Sequence, residues 1–240
     1  GELTTSGSEA NKSFTADELT VWLTRILNTP FIASGTLTNA TTNEITEGTV
    51  NATVSEALGS LADLPSNKTL RESEFYFPMQ GEGTGALANL LTDHRNSAKS
   101  TLTYPVMLPS YKKLSGMMHG FIDLIFEYQG KYYLCDYKSN HLGDSYDDYQ
   151  CDALLDNVEK NYYDLQYLIY SLALHRYLKQ TLSDYDVNQH FGGVYYLYLR
   201  GMSPQAPTHS GVYYREITQQ DISALHNTFA TSTNKEGKPS

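Results

Sequence analysis

The sequence contains few cysteines, and this scarcity bears on the cellular compartment in which the protein is expected. Two cysteines, Cys135 and Cys151, among 240 residues are too few for a disulfide framework and stand at no metal-ligand spacing. They favour reduced thiols and a reducing compartment, so the cytoplasm is the first expectation. Four Asn-x-Ser/Thr sequons could be glycan acceptors in a secreted protein, but the Asn- and Thr-rich first part of the chain produces such triplets by chance.

Long apolar runs and an excess of basic residues are also absent. No stretch of about 18 apolar residues is present, and the N-terminus GELTTSGSEANKS lacks the basic start and apolar run of a secretory signal. A membrane role is therefore not expected. The formal net charge of −10 argues against a stand-alone nucleic-acid binder, which normally carries a basic stripe that neutralises phosphates.

The remaining composition, with 40% hydrophobic residues, fits one domain that buries a substantial core. A capping box at Thr15 and Glu18 predicts a first helix over about 16–28, followed by a loop-rich segment with an amphipathic patch near 54–61. Further helices are predicted at 87–94, at 147–179, and from Thr218 to about 230. Strands are predicted at 72–79, within 120–138 as a pair, and at 190–200. This pattern predicts an α/β domain with a mixed central sheet flanked by helices.

Residues 120–140, GFIDLIFEYQGKYYLCDYKSN, place charges inside two apolar, aromatic-rich runs. The only turn signal between the runs is Gln129-Gly130, with glycine where a positive φ is required, so we predict an antiparallel hairpin. Counting outward from the turn gives the pairs Tyr128/Lys131, Phe126/Tyr133, Leu124/Cys135 and Asp123/Asp136.

This register would bring two carboxylates together, because directly opposed residues have Cβ atoms about 4.5–5.5 Å apart. Lys138 lies on the same face as Asp136, since side chains alternate along a strand. Opposed carboxylates repel unless a cation lies between them, and Mg²⁺ or Mn²⁺ suits such hard ligands. The chemistry indicated is metal-dependent phosphodiester hydrolysis, with Lys138 stabilising developing charge or positioning the attacking water. The alternative is a solvated strand end with a surface ion pair, which would need only one of the acids.

Gly120-x-x-Asp123 followed by Asp136-Tyr137-Lys138 resembles the core of the PD-(D/E)xK nuclease superfamily in its RecB-type form. The segments 120–143, 163–178 and 190–201 extend the similarity, which covers about residues 70–230, to the C-terminal nuclease domain of the RecB (beta) subunit of exodeoxyribonuclease V. The resemblance implies a restriction-endonuclease-like fold. It implies a nuclease core at 71–230 with an N-terminal helical and loop-rich part of the same domain at 1–70, while the polar residues at 231–240 are expected to form a disordered tail.

The same resemblance implies roles for individual residues around Mg²⁺. Asp123 and Asp136 would bind the metal, the backbone carbonyl of Tyr137 would add a ligand, and Lys138 would be catalytic. Two residues at helical spacing, Gln166 and Tyr170, match the Gln-x-x-x-Tyr element that lies beside the active site and the DNA, although spacing alone favours ordinary packing. Glu74 falls where the family has an acidic residue of less certain role.

One departure from the family pattern concerns a histidine. RecB-type domains normally carry a Gly-Thr-x-x-His helix whose histidine is a further metal ligand, but Gly83-Thr84 is followed here by Gly-Ala-Leu. The equivalent segment is expected before residue 1. His94 and His119 do not fit the spacing and are expected to be ordinary surface or loop histidines. The chain is therefore expected to be a fragment of a larger protein, with an incomplete metal site.

The function that the resemblance implies is a Mg²⁺-dependent exodeoxyribonuclease domain of a RecBCD-type helicase–nuclease in double-strand-break repair and recombination. DNA, RecC and RecD would be its partners, and the assembly would hold the DNA despite the acidic charge of this module. An alternative is a protein-binding module that recruits RecA and is itself inactive as a nuclease because the upstream histidine is missing. The 20 tyrosines are compatible with an interaction surface or with core packing. A stand-alone exonuclease or resolvase is disfavoured by the long colinear match.

Overall fold

The computed structural model describes residues 15–30, 59–97, 104–207 and 209–229. Its centre is one five-stranded sheet in which the strands are neighbours in chain order. The strands are β1 Thr69–Glu82, β2 Lys113–Tyr128, β3 Lys131–Lys138, β4 Phe191–Tyr198 and β5 Val212–Arg215. The β3–β4 pair is parallel and the other pairs are antiparallel. This mixed sheet confirms the α/β class and is compatible with a PD-(D/E)xK nuclease fold.

Six helices flank the sheet in the described residues: α1 Ala16–Leu27, α2 Thr84–Ser97, α3 Cys151–Lys160, α4 Tyr163–Thr181, α5 Val187–His190 and α6 Gln219–Phe229. The capping box of α1 is confirmed, because the Thr15 hydroxyl accepts a bond from the Glu18 amide at 3.2 Å and Glu18 reaches back to the Thr15 amide. Thr218 caps α6 through the amide of Asp221 at 3.2 Å, also as predicted. Among the described residues, no helix combines the length and the apolarity needed to cross a membrane.

Several predicted bounds are wrong. The continuous helix at 147–179 is divided, because Tyr162 adopts a left-handed conformation (φ 56°) between α3 and α4. Strands β1 and β2 are much longer than their patterns indicated, and β5 was not predicted. Most of the amphipathic patch near 54–61 and the predicted tail at 231–240 lie outside the described residues.

Two apolar clusters lie on opposite sides of the sheet. Ile125 and Leu134 join the larger cluster with the helices α3, α4 and α6. Leu124 and Cys135 join the smaller cluster, which α1 covers through Ile26. Neighbouring residues thus enter different cores, as strand alternation requires. Of the two cysteines, Cys135 is 1% exposed, and Cys151 is exposed at the start of α3.

The pairing of the long β1–β2 ladder is irregular in its middle. Glu72 has a left-handed backbone (φ 50°), and the regular pairing is interrupted between Arg71/Leu124 and Ser73/Ile122. Ile122 packs into the larger cluster while Leu124 packs into the smaller one, so the alternation of faces shifts at Asp123. This irregularity lies at the residue that the sequence singled out.

A buried ion pair joins α2 to the start of α4. Arg95 Nε donates to Asp164 Oδ2 at 2.5 Å, and both side chains are 2% exposed. The guanidinium also donates to the backbone carbonyl oxygens of Tyr104 at 2.9 Å and Glu159 at 2.8 Å. Its planar fork therefore satisfies a carboxylate and two carbonyl groups at once.

His94 is not a surface or loop residue. It lies on α2, is 5% exposed, and contacts Asp221 through Nδ1 and the Tyr167 hydroxyl through Nε2, both at 2.8 Å. A polar side chain can be buried in this way because both ring nitrogens have partners. His119 is exposed, as expected, but lies on β2 rather than in a loop.

Candidate active site

The hairpin formed by β2 and β3 has the register counted from Gln129-Gly130. Both turn residues have positive φ, 50° and 80°, as a two-residue hairpin turn of this kind requires. The three predicted pairs nearest the turn, from Tyr128/Lys131 to Leu124/Cys135, are present. The ladder ends there, one pair before the predicted Asp123/Asp136 pair.

Asp123 and Asp136 are therefore neighbours at the end of the ladder rather than a regular pair within it. Asp123 Oδ2 accepts a hydrogen bond from the Tyr137 amide at 2.9 Å, which fixes this carboxylate beside β3. Asp136 is buried, whereas Asp123 is half-buried and lines a shallow cavity of about 330 Å³ with Tyr137 and Arg71. The site is consequently open on the side of Asp123.

Asp136, Lys138, Gln166 and Tyr170 form one connected polar chain. Lys138 Nζ contacts Asp136 Oδ2 at 2.7 Å and donates to Gln166 Oε1 at 2.8 Å. Gln166 Nε2 donates in turn to the Tyr170 hydroxyl at 2.9 Å. Strand β3 supplies the first two residues and one face of α4 supplies the others, because positions four apart share a helical face. The structure thus brings together two pairs of residues that lie at least 28 positions apart in the sequence.

Two tyrosines that the sequence did not single out surround the Lys138 ammonium group. Nζ lies 3.8 Å from the ring centroid of Tyr163 and 4.4 Å from that of Tyr196. The Tyr196 hydroxyl also donates to Gln166 Oε1 at 2.8 Å. Aromatic faces attract a cation, so the rings stabilise an ammonium group that is 9% exposed. Tyr163 could have been suspected from its position three residues before Gln166, but Tyr196 depends on the parallel pairing of β4 with β3.

The electrostatics of Asp136 follow from its surroundings. Burial raises the pKa of Asp136 above its usual value, Lys138 acts in the opposite direction, and the nearby Asp123 raises it further. The proximity of Asp123 disfavours ionisation of Asp136, which is the behaviour of two acids that share one site. An added positive charge between them would relieve this cost.

The donor set suits a hard divalent cation. Asp123 and Asp136 each hold one oxygen in a bond to the protein and have a second, Oδ1, to offer, and the carbonyl oxygen of Tyr137 is a further hard ligand. No group of three or more His, Cys, Asp or Glu residues that could hold a metal occurs among the described residues. The residues therefore fit an ion that takes one or two protein carboxylates and completes its shell with water and substrate oxygens, as Mg²⁺ does.

Glu74 does not join this group. Its carboxylate accepts hydrogen bonds from the hydroxyl of Tyr76 and from His119 Nε2, the latter at 2.9 Å. Its neighbour Phe75 contacts Tyr170 on the helix-covered face, with ring centroids 5.5 Å apart, whereas Glu74 and Tyr76 are exposed. Strand alternation therefore directs Glu74 away from Lys138.

Comparison with known proteins finds relatives among the RecB subunits of RecBCD enzymes. No protein-family model matches the chain. RecBCD enzyme subunit RecB of Haemophilus influenzae is 39% identical over 171 residues, which are 71% of this chain and 13% of the relative. RecB of Escherichia coli is 34% identical over 218 residues, 91% of this chain and 16% of the relative, and RecB of Borreliella burgdorferi is 45% identical over 89 residues, 37% of this chain and 7% of the relative. The chain thus spans about one seventh of the length of the first two relatives. These matches confirm the resemblance that the motifs indicated and identify the chain as similar to one segment of the RecB subunit.

Proposed function

We propose that this chain is a metal-dependent nuclease module of a RecBCD-type enzyme and hydrolyses phosphodiester bonds of DNA. The observation that supports this most directly is the placement of Lys138, whose ammonium group contacts Asp136 and Gln166 at 2.7 and 2.8 Å. A simple surface ion pair would not require a buried lysine held by an acid, an amide and two aromatic rings.

In this proposal Mg²⁺ is held by Asp123, Asp136 and the carbonyl oxygen of Tyr137, and it supplies charge neutralisation at the phosphate when bound. Lys138 stabilises the negative charge that develops on the phosphoryl oxygens, or orients the attacking water, from a fixed position. Gln166 fixes the direction of the ammonium group because its Oε1 atom accepts from Lys138, while Tyr170 holds the amide from the other end. The net charge of the chain is negative, so in this proposal the rest of a RecBCD-type assembly, with RecC and RecD, delivers the strand.

The test compares Lys138→Met with a matched control, Lys131→Met, on the same strand. Each variant is assayed for Mg²⁺-dependent degradation of linear DNA, in the 240-residue chain and in the full-length subunit assembled with its partners. We expect loss of Lys138 to reduce the rate by about 100-fold or more, while Lys131→Met keeps the wild-type rate. Equal rates for Lys138→Met and wild type in the assembly would refute the assignment.

Metal binding is tested separately by calorimetric titration of Mg²⁺ and Mn²⁺ into wild type and Asp136→Asn. We expect the heat of binding to disappear in the variant. Recruitment of RecA, the alternative role, should survive Asp136→Asn in a pull-down, so the two functions can be separated in one variant.

A further inference from the structure

Exposed apolar side chains lie on the outer face of β1 and β2, in the part of the ladder between the irregularity at Glu72 and Asp123 and the start of β2. Tyr76 is 59% exposed, Phe121 is 52% exposed and Met117 is 64% exposed. The opposite face of the same strands carries Phe75 and Phe77 into the larger core, so helices cover one side of these strands, while among the described residues Tyr76, Met117 and Phe121 on the other side stay exposed. Adjacent exposed aromatic residues on one face indicate a binding surface rather than scattered surface positions.

The rings are held in a defined arrangement. Tyr76 and His119 are directly opposed across the two strands and stack with centroids 4.2 Å apart and an interplanar angle of 4°. Phe121 meets the edge of the His119 ring at 5.3 Å. Glu74 accepts hydrogen bonds from both Tyr76 and His119, so one carboxylate fixes the pair. Ordering that is already present in the free protein lowers the cost of binding.

The ring surface lies on the face of the sheet opposite Lys138 and leads along β2 towards Asp123. Phe121 precedes Asp123 by two residues on β2, which corresponds to about 7 Å along the strand. Arg71, an exposed residue of β1, lines the cavity that contains Asp123. At the other end of the rings, Lys112 and Lys113 are exposed where β2 begins. Aromatic rings flanked by cationic side chains are the combination that binds single strands, through base stacking and attraction of the backbone.

We propose that Tyr76, His119 and Phe121 form a stacking platform for the bases of single-stranded DNA whose backbone reaches the candidate active site from the side of Asp123. Glu74 acts as a positioning residue that holds two of the rings. The proposal rests on the nuclease function proposed above and adds the part of the site that holds the strand beside the cleaved bond. Stacking is tolerant of base identity, which suits a nuclease that moves along a strand.

The test measures fluorescence anisotropy of a fluorescein-labelled oligothymidylate in buffer with EDTA, where no cleavage occurs. The protein is the 240-residue chain, and a strand of equal length made of abasic sites serves as the second probe. Phe121→Ala and Tyr76→Ala should each weaken oligothymidylate binding by about fivefold or more and leave abasic-strand binding unchanged. Tyr177→Ala, which removes a ring that is 51% exposed on α4, is the matched control and should change neither affinity.

Glu74 gives a second comparison, because glutamine keeps an acceptor for the Tyr76 hydroxyl while alanine does not. We expect Glu74→Gln to retain most of the affinity that Glu74→Ala loses. Circular dichroism of each variant establishes that it is folded.

The outcomes also separate this proposal from the nuclease function. Asp136→Asn should lose cleavage and keep oligothymidylate binding. If Phe121→Ala and Tyr76→Ala bind like wild type, or if wild type binds the abasic strand as tightly as the base-bearing strand, the platform is refuted while cleavage by wild type still supports the nuclease. If the substitutions instead weaken only a pull-down of partner subunits, the face is a protein interface and the proposal is equally refuted.

Discussion

Removing Arg95 should destabilise the fold at the start of α4, and the size of the effect can be worked out from its contacts. Arg95→Met keeps much of the apolar stem but leaves the Asp164 carboxylate, whose side chain is 2% exposed, without its cation. It also removes the donors to the carbonyl groups of Tyr104 and Glu159. Loss of one partner of a buried ion pair costs about 3–5 kcal/mol, and the lost hydrogen bonds to the two carbonyl groups add to this cost, although the Glu159 carbonyl keeps the Tyr162 amide as a donor at 3.3 Å.

We therefore expect the free energy of unfolding to fall by about 4 kcal/mol, which is a large part of the roughly 5–15 kcal/mol of a typical domain. The measurement is urea denaturation at pH 7, followed by circular dichroism, on wild type and Arg95→Met. The double variant Arg95→Met/Asp164→Leu is the decisive control, because it removes the stranded charge together with its partner.

The double variant should be more stable than the single variant by about 1–4 kcal/mol, since apolar side chains can replace a buried ion pair. A loss below about 1 kcal/mol in Arg95→Met would show that water reaches Asp164 and would refute the description of a dry ion pair. A double variant less stable than the single variant would show that the Asp164 carboxylate is stabilising even without Arg95.

Three further predictions concern the site and its support. Tyr196→Phe keeps the ring beside the lysine but removes the hydroxyl bond to Gln166, so we expect kcat for DNA cleavage to fall about two- to tenfold with little change in KM, as steady-state kinetics would show. Burial, with help from nearby cations, lowers the pKa of His175 to about 4. The folded state thus favours the neutral ring, so the free energy of unfolding should be highest above pH 6.5 and decrease as the pH falls towards about 4. The decrease should be smaller in His175→Gln, as urea titrations at several pH values would show. Gly193 has φ 115°, and an added Cβ would lie 2.7 Å from a carbonyl oxygen on β5. Gly193→Ala should therefore lower the free energy of unfolding by about 1–3 kcal/mol in urea titrations. Gly85→Ala, at a position with open space around it, should not lower it.

The hairpin could be predicted from the sequence because its determinants are local. The turn at Gln129-Gly130 and the two-residue alternation define which side chains share a face, and they correctly paired Leu124 with Cys135. The last pair was the exception, since the ladder ends before Asp123. Ends of ladders depend on the neighbouring strand, and here the irregularity at Glu72 on β1 accompanies the change.

Other parts of the site depend on contacts between distant segments and have no local signal. Tyr196 stands opposite Asp136 only because β4 pairs in parallel with β3 after a crossover through α3 and α4. The burial of His94 likewise depends on Asp221 and Tyr167, which approach it from two other helices. The metal-binding and catalytic roles of Asp123, Asp136 and Lys138 stay predictions until the variants above are measured.

The positions of the two cysteines offer a chemical probe of this site. Burial, followed by the negative charge of Asp136, raises the pKa of Cys135 well above its ordinary value, so this thiol should resist alkylation as long as the hairpin is closed. Cys151 is exposed and should react at once. In a Cys151→Ser chain, the rate at which Cys135 is alkylated would then report how often the β2–β3 hairpin opens under native conditions. A bound cation that holds Asp123 and Asp136 together should lower this alkylation rate.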